Sequence, residues 1–287
     1  MSYDIRDFPQ EDWPEKLLEI PQVPKSLRIA GSMPPVGTKF LAVVGSRKAS
    51  EYGKAAVHEL LSRLAGLPIS IISGLALGID TCAHREALKA GLHTIAVPGS
   101  GLSPRAIYPH AHFSLAEEIV SSGGALISEF EDNFQAAPWS FPQRNRIMAG
   151  LSDAVLIVEA GEKSGTLITA RLGLDYGREV LALPGSIFAE GSFGPLRLMR
   201  DGAAPVRNAD DILEALGLQS VSTTPKEKDY TDLSDEEKKI VELLLNPMSR
   251  DELARESGMQ INELNALLTL LEIKGIVTEE MGEIRLC

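Results

Sequence analysis

The chain has 287 residues, of which 44% are hydrophobic and 5% aromatic. This length is enough for one large and one small domain, each with its own core. The formal net charge of −12 argues against a generally basic nucleic-acid-binding protein, and no stretch has the length and apolar character of a membrane span.

Short apolar strands alternate with helical patterns from Lys39 onward. This alternation is typical of a parallel α/β sheet with helices on both faces, and it predicts one such domain over residues 39–216. Residues 1–38 hold several prolines and little periodicity. There, Trp13, Leu17, Leu18 and Ile20 predict a short helix in an N-terminal extension that packs on the core. Strands are predicted at residues 40–44, 69–72, 94–97, 125–127, 154–158 and 180–183.

Most of these predicted strands end in turns rich in glycine and serine, at residues 45–46, 73–74, 98–100, 164–166 and 184–186. In such sheets, ligands bind outside the carboxyl ends of the strands. A turn that opens a helix also presents free backbone N–H groups and the positive end of the helix dipole, which favour phosphate. The basic residues near these ends are Arg47, Lys48, Arg144, Arg146 and Lys163. Together these features predict a phosphate site.

The stretch 141–170 concentrates this pattern. Arg144 and Arg146 precede a continuous apolar strand, which leads through a small polar loop into a helix. The alternative is an ordinary strand–turn–helix with solvated arginines. Among the neighbouring helices, Ser50 and Asp80 are predicted N-caps.

The last part of the chain has a different pattern. Residues 217–232 are polar, lack apolar periodicity and predict a linker. Residues 233–287 then predict three short helices and a β-hairpin, which is a winged-helix pattern. Two capping boxes support the first two helices, with Ser234 and Glu237 in one and Ser249 and Glu252 in the other.

The third helix of this winged-helix-like domain is predicted at about residues 260–274, with Ile261, Leu264, Leu267, Leu268 and Leu271 on its apolar face. A winged helix usually reads duplex DNA with this helix. Here residues 233–287 carry six basic and twelve acidic side chains. Because phosphate contacts supply most of the affinity for DNA, we expect docking or regulation rather than duplex binding.

Several long motifs occur in the order VVGSRKASEYG (43–53), SGLALGIDTCAH (73–84), TIAVPGSGLSPRAIYP (94–109), FPQRNRIMAGLSDAVLIVEA (141–160), SGTLITA (164–170) and LPGS (183–186). With these motifs the chain resembles the DNA-processing protein A (DprA/Smf) family over nearly its whole length. The resemblance implies an extended Rossmann-like domain that binds single-stranded DNA, forms a homodimer and loads RecA during natural transformation. It implies neither catalysis nor a cofactor.

The resemblance, together with the basic residues near the strand ends, places the DNA-binding site at Gly45, Ser46, Arg47, Lys48, His110, Arg144, Asn145, Arg146, Lys163, Ser164, Gly165 and Thr166. Arginine guanidinium groups and the backbone N–H groups at the start of a helix bind phosphate oxygens without reading the base sequence. Many members have a lysine at the position of His110. Tyr108 and Phe141 are candidates for base stacking, with core packing as the alternative for Phe141.

The leading alternative function is a nucleoside-monophosphate phosphoribohydrolase of the same superfamily. The glutamate of that enzyme motif corresponds to Thr169 here, so the carboxylate that would position water is missing. Glu129 and Glu159 are possible substitutes, although structural or solvated roles are favoured. Asp80 and His84 could form an acid/base pair, but a helix cap and a buried histidine are favoured.

Other ligand classes have weaker signals. The first strand is not followed by the G-x-G-x-x-G motif of nicotinamide dehydrogenases. His110 and His112 do not share a helix face, so they do not predict a metal site. Cys82 and Cys287 are too few for a disulfide framework or a zinc site, which is consistent with the reducing cytoplasm.

Overall fold

The computed structural model describes residues 3–219, 233–244, 248–274, 276–280 and 283–286. The chain divides into two compact units, Met1–Ser220 and Val221–Cys287. Most of the predicted linker, from residue 220 to 232, lies outside the described residues. Within the described part of the chain, no helix has the length and apolar character needed to cross a membrane.

The larger unit alternates strands and helices along the chain, as predicted. Its strands are β1 (Ile5–Phe8), β2 (Leu27–Gly31), β3 (Lys39–Val44), β4 (Ile69–Ser73), β5 (His93–Ala96), β6 (Ala125–Ser128), β7 (Ala154–Ile157), β8 (Glu179–Ala182) and β9 (Ala204–Pro205). Its α-helices are α1 (Glu15–Leu18), α2 (Glu51–Ser62), α3 (Ile79–Lys89), α4 (Phe113–Ser121), α5 (Ser140–Leu151), α6 (Thr166–Asp175), α7 (Phe193–Arg200) and α8 (Ala209–Ala215).

All nine strands belong to one sheet, in the order β1-β2-β6-β5-β4-β3-β7-β8-β9. From β3 the chain moves outward through β4, β5 and β6, and then returns to place β7 on the other side of β3. The central pairs are parallel, with Leu41 opposite both Ile71 and Ala154. The strand order therefore reverses between β3 and β7, which is the point where doubly wound sheets bind ligands.

Two apolar layers cover the sheet, because alternate side chains of a strand point to opposite faces. In β3, Ala42 and Val44 contribute to one core cluster, whereas Leu41 and Val43 contribute to the other. All four residues are buried, as expected for a strand covered on both faces.

Residues 1–38 form more than the predicted extension, because they add two antiparallel strands to the predicted parallel sheet. Strand β2 pairs antiparallel with β6, and β1 pairs with β2, so this segment forms one edge of the sheet. Of the four residues predicted to pack on the core, Trp13, Leu17 and Ile20 are buried, whereas Leu18 at the end of α1 is 39% exposed. A Cβ atom at Gly150 would lie 3.0 Å from Leu17, so this glycine permits the close approach of α5.

The two predicted N-caps have different outcomes. Ser50 caps α2, because its side chain accepts a hydrogen bond from the Gly53 N–H. Asp80 does not cap α3: the helix begins one residue earlier, after Gly78. Its carboxylate instead accepts hydrogen bonds from Gly74 and Ala76 in the preceding loop.

The smaller unit contains α9 (Asp235–Leu243), α10 (Arg250–Ser257) and α11 (Ile261–Ile273), with strands β10 (Met248–Ser249), β11 (Val277–Glu280) and β12 (Glu283–Leu286). Both predicted capping boxes are present, and β11 pairs with β12 as predicted. Strand β10, which the sequence pattern does not predict, pairs with the other side of β12. Leu264, Leu268 and Leu271 are buried as expected, but Ile261 is half-exposed at the start of α11.

Candidate nucleic-acid interface

A cavity of about 490 Å³ opens at the carboxyl edge of the sheet, between the ends of β3 and β7. We call it the switch-point cavity. Three segments far apart in sequence form its walls: the turn after β3, the first half of α5 and the turn before α6. Of the predicted site residues, it brings together Gly45, Arg47, Arg144, Asn145, Ser164, Gly165 and Thr166.

The turn after β3 approaches α3 closely. A Cβ atom at Gly45 would lie 2.6 Å from Ile79, so a larger residue would separate the turn from the helix. The Ile79 N–H donates to the Ser46 carbonyl at 3.1 Å. Glycine at position 45 thus keeps the backbone that carries Arg47 against the start of α3.

Arg144 lies at the bottom of the cavity and is only 5% exposed. Its Nη1 donates to the Gly74 carbonyl at 2.6 Å and also to the Val97 carbonyl, so the guanidinium is held at the ends of β4 and β5. Burial lowers the pKa of Arg144 to about 10, and the nearby charge of Asp80 opposes this effect. The side chain therefore remains positively charged at neutral pH.

Asp80 also lines the cavity and provides the countercharge to Arg144. Its carboxylate accepts from the N–H groups of Gly74 at 3.1 Å and Ala76 at 3.3 Å. Burial raises the pKa of Asp80, whereas the positive charge of Arg144 acts in the opposite direction. A Cβ atom at Gly74 would lie 2.6 Å from both Arg144 Cζ and Asp80 Oδ2, so this glycine leaves room for both charged groups.

Arg47 forms the exposed side of the cavity. Its Cζ lies 5.1 Å from the centre of the Phe141 ring, in a cation–π arrangement. The Phe141 ring lies 5.7 Å from the Tyr108 ring, which is 49% exposed. None of the described residues forms an ion pair with Arg47. Its charge is therefore presented to solvent at the cavity mouth, beside two aromatic rings.

The third wall is the turn that opens α6. The Thr166 N–H donates to Ser164 Oγ at 3.2 Å, and Ser164 Oγ donates to Thr166 Oγ1 at 3.0 Å. Gly165 is exposed, and a Cβ atom there would meet nothing within 4 Å. This wall contributes hydroxyl groups and the positive end of the α6 dipole.

Arg146 does not line the switch-point cavity. It is buried and forms an ion pair with Glu129, which is partly buried. The reason is helix geometry: residues two apart on a helix point about 200° apart, so Arg144 and Arg146 lie on opposite faces of α5. His110 and Lys163 are exposed and also lie outside the residues lining this cavity.

Ser46 and Lys48 line a neighbouring cavity of about 870 Å³, on the β8 side of the same edge. We call it the Glu159 cavity, after the buried carboxylate in its wall. Glu159 accepts from the Ser50 N–H at 3.0 Å and from the Ser50 hydroxyl. Glu190 adds a second carboxylate to the lining.

Two family models together match nearly the whole chain. The model of DNA recombination-mediator protein A matches residues 5–217, and the DprA winged helix domain matches residues 224–283. The chain belongs to the DprA/Smf family. These matches also confirm the predicted winged helix.

Individual members of the family are similar to this chain over most of its length. Protein Smf of Escherichia coli is 40% identical over 95% of this chain and 74% of its own length. The solved DprA structure from Streptococcus pneumoniae is 37% identical, with a TM-score of 0.68 over 74% of each chain. The Helicobacter pylori DprA structure, described for its single-stranded DNA binding mode, is 29% identical with a TM-score of 0.66, over 75% of this chain and 96% of its own.

The residues that an enzyme of the alternative class would use are engaged otherwise in this DprA-family chain. Thr169 is buried, Glu129 pairs with Arg146, and Glu159 binds Ser50. His84 is buried, with Nδ1 2.8 Å from Thr94 Oγ1, and burial lowers its pKa to about 3. Nor do the residues that the structure describes contain a cluster of three or more metal-ligating side chains.

Proposed function

We propose that this DprA/Smf-family chain binds single-stranded DNA through a phosphate held in the switch-point cavity. The observation that carries the proposal is the pair Arg47 and Arg144, which face the cavity with the N-terminal turn of α6 opposite. Arg144 supplies a fixed charge at the bottom, and Arg47 supplies an exposed charge at the mouth. Charge-assisted hydrogen bonds of this kind are the strong contacts for phosphate.

The aromatic rings beside Arg47 favour an unpaired strand. In a duplex the bases are stacked on one another, whereas a single strand can turn a base onto an aromatic ring. Phe141 and Tyr108 lie next to the cationic mouth, so a bound phosphate would bring its nucleotide to these rings. Binding of this kind is indifferent to base identity, because phosphate contacts carry no sequence information.

We further propose that the protein protects the bound strand and loads RecA onto it in the cytoplasm, without chemistry of its own. Family membership supports this role. The other four basic residues of the predicted site would stabilise the structure or contact DNA at the margin of the cavity: Lys48, Arg146, His110 and Lys163. A homodimer formed through the larger unit would place two cavities on one strand, and linked sites raise the effective concentration of the second contact.

The primary test is fluorescence anisotropy of a labelled oligo-dT and of a duplex of equal length, each over a salt series. We expect tighter binding of the single strand and an affinity that falls linearly on a log–log plot against salt. Equal or tighter binding of the duplex would contradict the proposal. Assays for RecA filament assembly, and for release of free base from nucleoside monophosphates, then test the loading role and the absence of catalysis.

A further inference from the structure

Trp139 is the most unusual aromatic residue near the switch-point cavity, because 55% of its surface is exposed. It lies immediately before α5, between Pro138 and Phe141, and both of these neighbours line the cavity. The other tryptophan of the chain, Trp13, is 6% exposed, and its indole N–H donates to the Phe8 carbonyl at 2.8 Å. No such partner is found for the Trp139 indole N–H among the described residues.

The Trp139 side chain is supported from below by two other rings. Its ring lies 5.8 Å from Phe130 in an edge-to-face arrangement and 5.5 Å from Phe134. Phe130 and Phe134 stack on each other at 4.5 Å. The adjacent Ser140 hydroxyl donates to the Gly99 carbonyl at 2.5 Å, which fixes the start of α5 to the loop after β5. The indole is therefore held in place while much of its surface faces solvent.

We propose that Trp139 is a base-stacking residue for the nucleotide next to the phosphate in the switch-point cavity. This inference rests on the proposed function. Successive Cα atoms are about 3.8 Å apart, so the backbone of Trp139 begins at the edge of the cavity, within reach of the adjoining nucleotide. Any base can stack on an indole ring. The position of Trp139 also indicates the direction in which the DNA strand leaves the cavity.

The charges around the cavity favour the same direction. On the Trp139 side, Arg47 and Arg105 are exposed, and Asp132 of the supporting loop is already paired with Arg28 at 2.9 Å. Glu131 is the exposed carboxylate of that loop. On the other side, two carboxylates, Glu159 and Glu190, line the neighbouring cavity against one cation, Lys48. A strand leaving the switch-point cavity is therefore directed toward the loops after β5 and β6.

Intrinsic fluorescence provides a direct test, because one of the two tryptophans is buried and the other is exposed. Oligo-dT is titrated into the full-length protein while tryptophan emission and the anisotropy of a labelled strand are recorded in parallel. We expect quenching that saturates together with the anisotropy change. An abasic oligonucleotide of equal length should bind through its phosphates with little quenching.

Three variants separate stacking from other effects. Trp139→Ala should lose the quenching and weaken oligo-dT binding about tenfold, whereas Trp139→Phe should recover most of the affinity. The matched control is Phe188→Ala in the loop after β8, where an aromatic residue that is 92% exposed is removed on the opposite side. It should bind as tightly as the parent.

The outcomes distinguish this inference from the function on which it rests. Binding seen by anisotropy without a change in tryptophan emission, with Trp139→Ala equal to the parent, would overturn the stacking role and leave the phosphate site standing. If Phe188→Ala weakened oligo-dT binding instead, the strand would lie on the opposite side of the cavity. If no single strand binds, the proposed function fails and the role of Trp139 fails with it.

Discussion

The two cavities at the carboxyl edge of the sheet are neighbours, yet their chemistry is opposite. The switch-point cavity is the smaller, at about 490 Å³ against about 870 Å³, and its lining holds two arginines, Arg47 and Arg144, and one carboxylate, Asp80. The Glu159 cavity holds two carboxylates, one of them buried, and one cation, Lys48. Volume alone would favour the larger cavity for a ligand. Charge favours the smaller one for an anion, because a buried carboxylate repels phosphate whereas a held guanidinium attracts it.

Among the variants that test this comparison, Arg144→Gln should cause the largest loss of single-strand affinity. The substitution removes the fixed charge at the bottom of the switch-point cavity, and we expect single-strand affinity to fall about 100-fold. It also leaves the buried Asp80 carboxylate without its countercharge, which should destabilise the fold by about 3 kcal/mol. Anisotropy and urea unfolding measure the two effects separately.

A double variant distinguishes weak binding from poor folding. Asp80→Asn combined with Arg144→Gln removes both charges around Gly74, so much of the lost stability should return. Single-strand affinity should stay low, because the glutamine at position 144 has no guanidinium group. If the double variant regained parent-like affinity, Arg144 would be a structural residue only.

The buried histidine beneath the same cavity should make stability depend on pH. Burial lowers the pKa of His84 to about 3, so below the ordinary histidine pKa of about 6.5 the unfolded chain binds a proton that the native state does not. Between pH 7 and pH 5 this should cost about 2 kcal/mol of unfolding free energy. His84→Gln should flatten that slope in urea unfolding, with the exposed His110→Gln as control. An unchanged slope would show that His84 does not cause it.

A smaller but sharper test compares two adjacent cations. Arg47 and Lys48 are both exposed, but Arg47 lines the switch-point cavity and Lys48 lines the Glu159 cavity. We expect Arg47→Ala to weaken oligo-dT binding about tenfold and to reduce the salt slope, with Lys48→Ala close to the parent. Equal losses would mean that general surface charge, and not the cavity, binds the strand.

Much of this arrangement can be predicted from the sequence, because the relevant signals are local. Continuous apolar runs predict the buried strands, and the glycine–serine turns predict where their carboxyl ends meet. The same signals place Arg47, Arg144 and the turn before α6 at one edge of the sheet. Their meeting in one cavity follows from the strand order, with β3 between β4 and β7.

The remaining features depend on contacts that a linear pattern does not show. The strands of residues 1–38 escape prediction because they are short and surrounded by prolines, and β2 pairs with a strand almost 100 residues away. Arg146 carries the same charge signal as Arg144, although both lie in α5, where their spacing of two places them on different faces. The exposure of Trp139 cannot be predicted, since an isolated tryptophan is equally suited to a core.

The contact between Glu159 and Ser50 has a consequence for the kinetics of binding. It ties the end of β7 to the start of α2, and a Cβ atom at Gly53 would lie 2.7 Å from the Glu159 carboxyl carbon. Because α2 follows the turn that carries Arg47, this contact holds two walls of the switch-point cavity in a fixed relative position. Capture of a strand then requires little rearrangement of the protein, so association should proceed near the rate of electrostatically guided encounter. Differences among variants should appear chiefly in the residence time of the DNA.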